Sequence, residues 1–74
     1  MMFPNKETVE RVRKQYPKGT RVELISMNDP YSTLKPGDQG IVDFVDDTAT
    51  VFVVWDKGST LGVVYGEDII KSLT

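Results

Sequence analysis

Residues 34–62 read LKPGDQGIVDFVDDTATVFVVWDKGSTLG, and the fold follows from this stretch. Pro36-Gly37 is a turn dipeptide, because proline presets φ for the second turn position and glycine accepts positive φ at the third. Gly40 to Val45 and Thr50 to Asp56 are rich in β-branched and aromatic residues, the pattern of strands bounded by turn residues. Between them Asp46-Asp47-Thr48-Ala49 makes a compact hairpin connection. Lys57-Gly58-Ser59 then turns the chain into another strand, Thr60 to Tyr65.

Working outward, Thr20 to Met27 reads as a first strand, with Val22 and Leu24 on one face and Arg21 and Glu23 on the other. Gly66-Glu67-Asp68 suggests a helical turn before a last strand, Ile69 to Leu73. Five short strands with this spacing predict a mostly β fold, a single five-stranded barrel of the SH3-like kind. Near the start, Asn5 is a good N-cap and Glu7 suits the first turn, so Lys6 to about Tyr16 reads as a helix. Val9, Val12 and Tyr16 form one apolar stripe, and Phe3 could fold back on Val9. Glu7 with Arg11 and Glu10 with Lys14 stand four apart in the favourable order. The expected division is 1–19 for the helix and its cap and 20–74 for the barrel, within one structural domain.

Register decides what is buried. A two- or four-residue connection pairs Val45 with Thr50, Phe44 with Val51 and Val42 with Val53, and sets Gly40 opposite the Trp55 indole. Val42, Phe44, Val51, Val53 and Trp55 then face the interior. A bulge near Asp43 is the alternative, and it would turn Phe44 outward and Val45 inward. The reverse face carries Ile41, Phe52 and Val54, too many large apolar groups to leave wet. The Val9–Val12–Tyr16 stripe is expected to pack on this outer face, and a second copy of the chain is the alternative cover.

Composition narrows the chemistry. A chain of 74 residues has room for one small core. It contains no cysteine and no histidine, which removes disulfides, thiolate nucleophiles and the commonest general base. No triad, phosphate loop or zinc motif occurs, and the adjacent Asp46 and Asp47 are turn residues. The expectation is therefore a non-enzyme with no metal and no cofactor. No apolar run approaches a membrane span, and the first residues lack the apolar core of a signal peptide, so the cytoplasm is the expected compartment. Charge is uneven: residues 1–21 carry six bases against two acids, and residues 22–74 carry three bases against nine acids. The ordinary explanation is a solvated helix docked on an oppositely charged body. The sharper one is a weak nucleic-acid surface made of Arg11, Arg13, Lys14, Lys18 and Arg21.

Two clusters are candidates for binding. Met27-Asn28-Asp29-Pro30-Tyr31 lies on the long loop after the first strand. Turn formation accounts for Asp29 and Pro30 but not for Met27 and Tyr31. Trp55-Asp56-Lys57-Gly58-Ser59 is the second, where Trp55 either packs in the core or shows an edge to a ligand, and Ser59 supplies a hydroxyl. Met27, Asn28, Asp29, Tyr31, Trp55 and Ser59 together would hold a segment of another protein. A homo-oligomer joined through Ile41, Phe52 and Val54, capturing a small polar or nucleotide-like ligand at the junction, is the alternative.

The residues from Arg11 to Asp68 resemble a small bacterial family known as domain of unknown function 4314. The resemblance rests on Tyr16-Pro17-Lys18-Gly19-Thr20-Arg21-Val22, Met27-Asn28-Asp29-Pro30-Tyr31, Pro36-Gly37 with Gly40, Val45-Asp46-Asp47, and Trp55-Asp56-Lys57-Gly58-Ser59 with Leu61-Gly62. Ala49 stands where that family's hairpin would take glycine. The resemblance implies an SH3-like fold and a setting in bacterial genomes, phages and other mobile elements. It implies no activity.

Overall fold

The computed structural model describes residues 5–29 and 31–73. Phe3 and Pro30, and with them the proposed contact to Val9 and the Asp-Pro turn, lie outside the described residues. One helix, α1 (Lys6–Gln15), precedes five strands: β1 (Arg21–Ser26), β2 (Gln39–Val45), β3 (Val51–Trp55), β4 (Thr60–Val63) and β5 (Ile69–Ser72). All described pairings are antiparallel, in the order β4-β3-β2-β1-β5. No ladder joins β4 to β5 among the described residues. The fold is mostly β, as expected.

The helix starts where Asn5 Oδ1 accepts the Thr8 amide at 2.8 Å, occupying one of the free first-turn donors. It stops at Tyr16, which leaves helical geometry before Pro17 and the positive-φ Gly19. Neither expected helix ion pair forms among the described residues. Arg11 instead donates to the Tyr65 hydroxyl at 3.3 Å, and Arg13 reaches the Val45 carbonyl at 3.1 Å and Asp47 at 2.9 Å. Contacts to the sheet replace contacts along the helix because the apolar stripe draws α1 down onto it.

The stripe does not go where the sequence suggested. Val9 and Val12 join Val22, Leu24, Val42, Val53 and Trp55 in one buried cluster, so α1 covers the inner face and not the outer face. Tyr16 packs against the same cluster. Full burial is worth about 1.5–3 kcal/mol per valine-sized side chain.

The β2–β3 register follows expectation from Gly40↔Trp55 to Val42↔Val53 and then slips. Phe44 pairs with Phe52 and Val45 with Val51, in place of Val51 and Thr50. The bulge at Asp43 is therefore present, Phe44 turns outward at 50% exposed and Val45 turns inward at 8%. Asp46 anchors the connection: its Oδ1 accepts the Thr48 amide at 2.8 Å, the Thr48 hydroxyl at 2.6 Å and the Thr50 amide at 3.0 Å. Ala49 closes this turn with φ of 61°, the left-handed conformation usually given to glycine. Its methyl group is fully buried, and that burial offsets part of the backbone strain.

Gly40 is the tightest backbone approach in the sheet. A Cβ there would come within 2.6 Å of the Val54 carbonyl oxygen and 2.9 Å of Trp55 Cα, both backbone atoms. Gly40→Ala is expected to lower stability by about 1–3 kcal/mol through overpacking, read as a lower urea midpoint. Asp46 provides a second test. Burial alone would raise its pKa, but the Thr48 and Thr50 hydrogen bonds and the nearby Arg13 charge hold it below the usual carboxylate value. A lowered folded-state pKa means stability that is present above the unfolded value, about 3.9, and lost as pH falls further. Asp46→Ala should cost about 1 kcal/mol near pH 7. The gap to the parent protein should narrow in urea titrations at about pH 3.

Candidate functional site

The long β1–β2 loop is tied at several points. Leu34 is buried beneath it, and its ends close through Gly37 N to Leu24 O and Leu24 N to Asp38 O, both 2.8 Å. Lys35-Pro36-Gly37-Asp38 is a hydrogen-bonded turn with Gly37 at φ 98°. Lys57 donates to the Thr33 carbonyl at 2.9 Å and pairs with Asp38 at 2.8 Å, joining this loop to the β3–β4 turn. The Lys57 hydrogen bond, with the Lys35 amide, holds the Asp38 carboxyl below its ordinary pKa.

At its upstream end the loop meets the turn between β4 and β5. Asp68 is the staple: one carboxylate oxygen accepts the Asn28 amide at 2.8 Å and the other the Val64 amide at 2.9 Å. The Glu67 and Asp68 amides in turn donate to the Val64 carbonyl, making the helical turn expected there. Between loop and turn runs a narrow cleft of about 140 Å³, with Met27, Asn28 and Asp29 on one wall and Leu61, Glu67 and Asp68 on the other. Asp29 Oδ1 accepts the Tyr31 amide at 2.9 Å, which shapes the loop where Tyr31 stands 92% exposed.

The six expected binding residues thus divide. Met27, Asn28 and Asp29 line the cleft, and Tyr31 adjoins them in sequence. Trp55 is 1% exposed and lies in the core, where its indole N–H donates to the Leu61 carbonyl at 3.2 Å. It offers no edge to a ligand and instead fixes the strand that forms the opposite wall. Ser59 does not line the cleft, and its buried hydroxyl finds no hydrogen-bond partner among the described residues. Leu61, Val64, Glu67 and Asp68 were missed. The Gly66-Glu67-Asp68 turn was visible, but nothing local signals that it folds against Asn28.

A second hollow lies on the other side of the same turn. This apolar groove of about 380 Å³ runs between α1 and the start of β5, lined by Val12, Tyr16, Val63, Tyr65 and Ile69, and shares Asp68 with the cleft. Burial raises the Tyr16 pKa, so its hydroxyl keeps its proton. The basic residues at the other candidate surface are mostly engaged. Arg11 and Arg13 bind Tyr65 and Asp47, Lys18 sits 3.6 Å from Asp43, and Arg21 forms a two-nitrogen pair with Asp56. Lys14 forms no ion pair among the described residues. No group of three or more His, Cys, Asp or Glu side chains able to share a metal ion occurs among the described residues. No described helix is long and apolar enough to cross a membrane.

These features define a small antiparallel β domain with a docked helix and a surface cleft. The chain belongs to the family described as "Domain of unknown function (DUF4314)", whose model matches residues 5–73. No curated protein matches the chain.

Removing the Asp68 carboxylate should loosen both walls of the cleft. Asp68→Ala is expected to cost about 1 kcal/mol and to speed amide hydrogen exchange at Asn28 and Val64. Exchange unchanged at both amides would show that the staple is not what holds the cleft.

Proposed function

We propose that this chain is a non-catalytic binding module, an SH3-like barrel that holds an extended basic segment of another protein. The five-stranded antiparallel order β4-β3-β2-β1-β5 and the single buried core support the barrel assignment. One observation carries the functional reading. Five acids of the sheet and its loops (Glu23, Asp38, Asp43, Asp47 and Asp56) are each matched by a lysine or arginine. Asp46 is consumed by its hairpin. The three others without a base among the described residues, Asp29, Glu67 and Asp68, all line the cleft, where Asp68 is also held by the Asn28 and Val64 amides. Negative charge left unmatched beside apolar Met27 and Leu61 suits a lysine or arginine side chain with its aliphatic stem.

The groove across the 64–68 turn gives the same segment an apolar anchor point next to Tyr16 and Tyr65. A partner peptide would place a base in the cleft and a large apolar side chain in the groove. A cytoplasmic role in a bacterium, or in a phage or mobile element it carries, is the setting we attach to this reading. Nucleic-acid binding through Arg11, Arg13, Lys14, Lys18 and Arg21 has less support, since four of the five already bind the protein itself. No observation gives comparable weight to a small polar or nucleotide-like ligand at a subunit junction.

The test is fluorescence polarisation against a library of extended peptides combining Lys or Arg with Phe, Leu or Trp. Saturable binding that weakens as salt rises is expected. Glu67→Gln with Asp29→Asn should weaken it several-fold at unchanged Tm, because the amide introduced at position 29 keeps the turn-forming oxygen and only charge is lost. Peptides that bind equally well to this double variant, or none that bind at all, would reject the assignment.

A further inference from the structure

The outer face of the sheet remains uncovered once α1 has docked inside. Its centre is apolar: Ile41 pairs with Val54 and Phe44 with Phe52 across β2 and β3. Ile41, Val54 and Phe44 are 44%, 49% and 50% exposed. Phe44 lies flat on Phe52, with ring centroids 4.6 Å apart and planes 17° apart. Gly62, opposite Phe52, has no side chain to displace that ring, since a Cβ there would lie 3.2 Å from it. The result is a continuous apolar plate, not a row of isolated side chains.

The charges around the plate are matched in pairs. Arg21 stands beside Ile41 in register and pairs with Asp56, Glu23 pairs with Lys71 at 3.8 Å, and Asp43 in the bulge pairs with Lys18 at 3.6 Å. Three bases therefore meet three acids, and these pairs add no net charge to the face. A strongly basic or acidic partner gains nothing electrostatic here, in contrast to the acidic cleft. An identical face does fit. Under a twofold axis the apolar plates meet, and a rim of matched pairs adds no net charge by which the two copies would repel each other.

We infer that this face is a twofold dimer interface, and that its occupant is a second copy of this chain. Two sheets would pack face to face at about 10 Å, the ordinary spacing of sandwiched sheets. A standard interface takes about 800 Å² per subunit, about one sixth of the chain's 4988 Å² surface. The bulge at Asp43 is essential, because it places Phe44 on this face. The interface is separate from the cleft and groove, so its occupancy is independent of peptide binding.

Sedimentation of the chain from about 1 to 200 µM should show the mass rising from 8.3 kDa to a plateau at twice that value. Val54→Glu should raise the dimer dissociation constant at least about tenfold, with the circular dichroism spectrum unchanged. The absence of cysteine permits a second readout that does not rely on disrupting the face. Under mild oxidation Ile41→Cys should form a disulfide-linked dimer much faster than Lys14→Cys, which sits on the exposed side of α1. A constant mass of 8.3 kDa at all concentrations, growth past the dimer without a plateau, or equal cross-linking of the two cysteine variants would each overturn the inference.

Discussion

Gly40 and Trp55 lie back to back across β2 and β3, with no room for even a methyl group between Gly40 and the neighbouring backbone. That close approach lets the indole drop fully into the interior, where its N–H reaches the Leu61 carbonyl. A buried indole N–H needs such a partner. The bond fixes β4 relative to β3, and β4 supplies a wall of the cleft. The largest core side chain thus shapes the surface by holding its frame, without touching the surface itself.

Charge is distributed unevenly over the surface. Most acids of the sheet are satisfied within the molecule, several of them by the base-rich N-terminal region, as with Asp47 and Arg13 or Asp43 and Lys18. Exposed pairs of this kind are individually weak, and their effect here is to cancel charge over the outer face and along the helix. What is left over gathers beside Asp68. The protein therefore has two surfaces of different character, a neutral apolar plate and a narrow acidic cleft, both built on the same small core.

Much of the fold was legible in the chain. Period-two alternation placed the five strands, Pro36-Gly37 and Gly58 marked turns, and Asn5 marked the helix start. The β2–β3 register was half legible. Gly40 opposite Trp55 followed from counting back from the hairpin, but the slip at Asp43 depends on which of Phe44 and Val45 the interior accepts. Alternation treats both as apolar and cannot rank them. The helix face was legible, yet its docking surface was not, because both faces of the sheet carry apolar residues and only three-dimensional fit separates them. For the candidate site, the Met27–Tyr31 loop could be singled out by its large side chains in a turn. Trp55 and Ser59 were natural companions in sequence and lie away from the opening in space.

The sequence by itself determined the secondary structure, the N-cap, the absence of cysteine and histidine chemistry, and a surplus of acid over base. Each depends on residue type and near neighbours, which are explicit in a linear chain. Only the tertiary structure decided that Phe44 turns out and Val45 in, that α1 closes the inner face, and that Asp68 meets Asn28. These outcomes compare burial at sites separated by tens of residues, and no local pattern encodes that comparison.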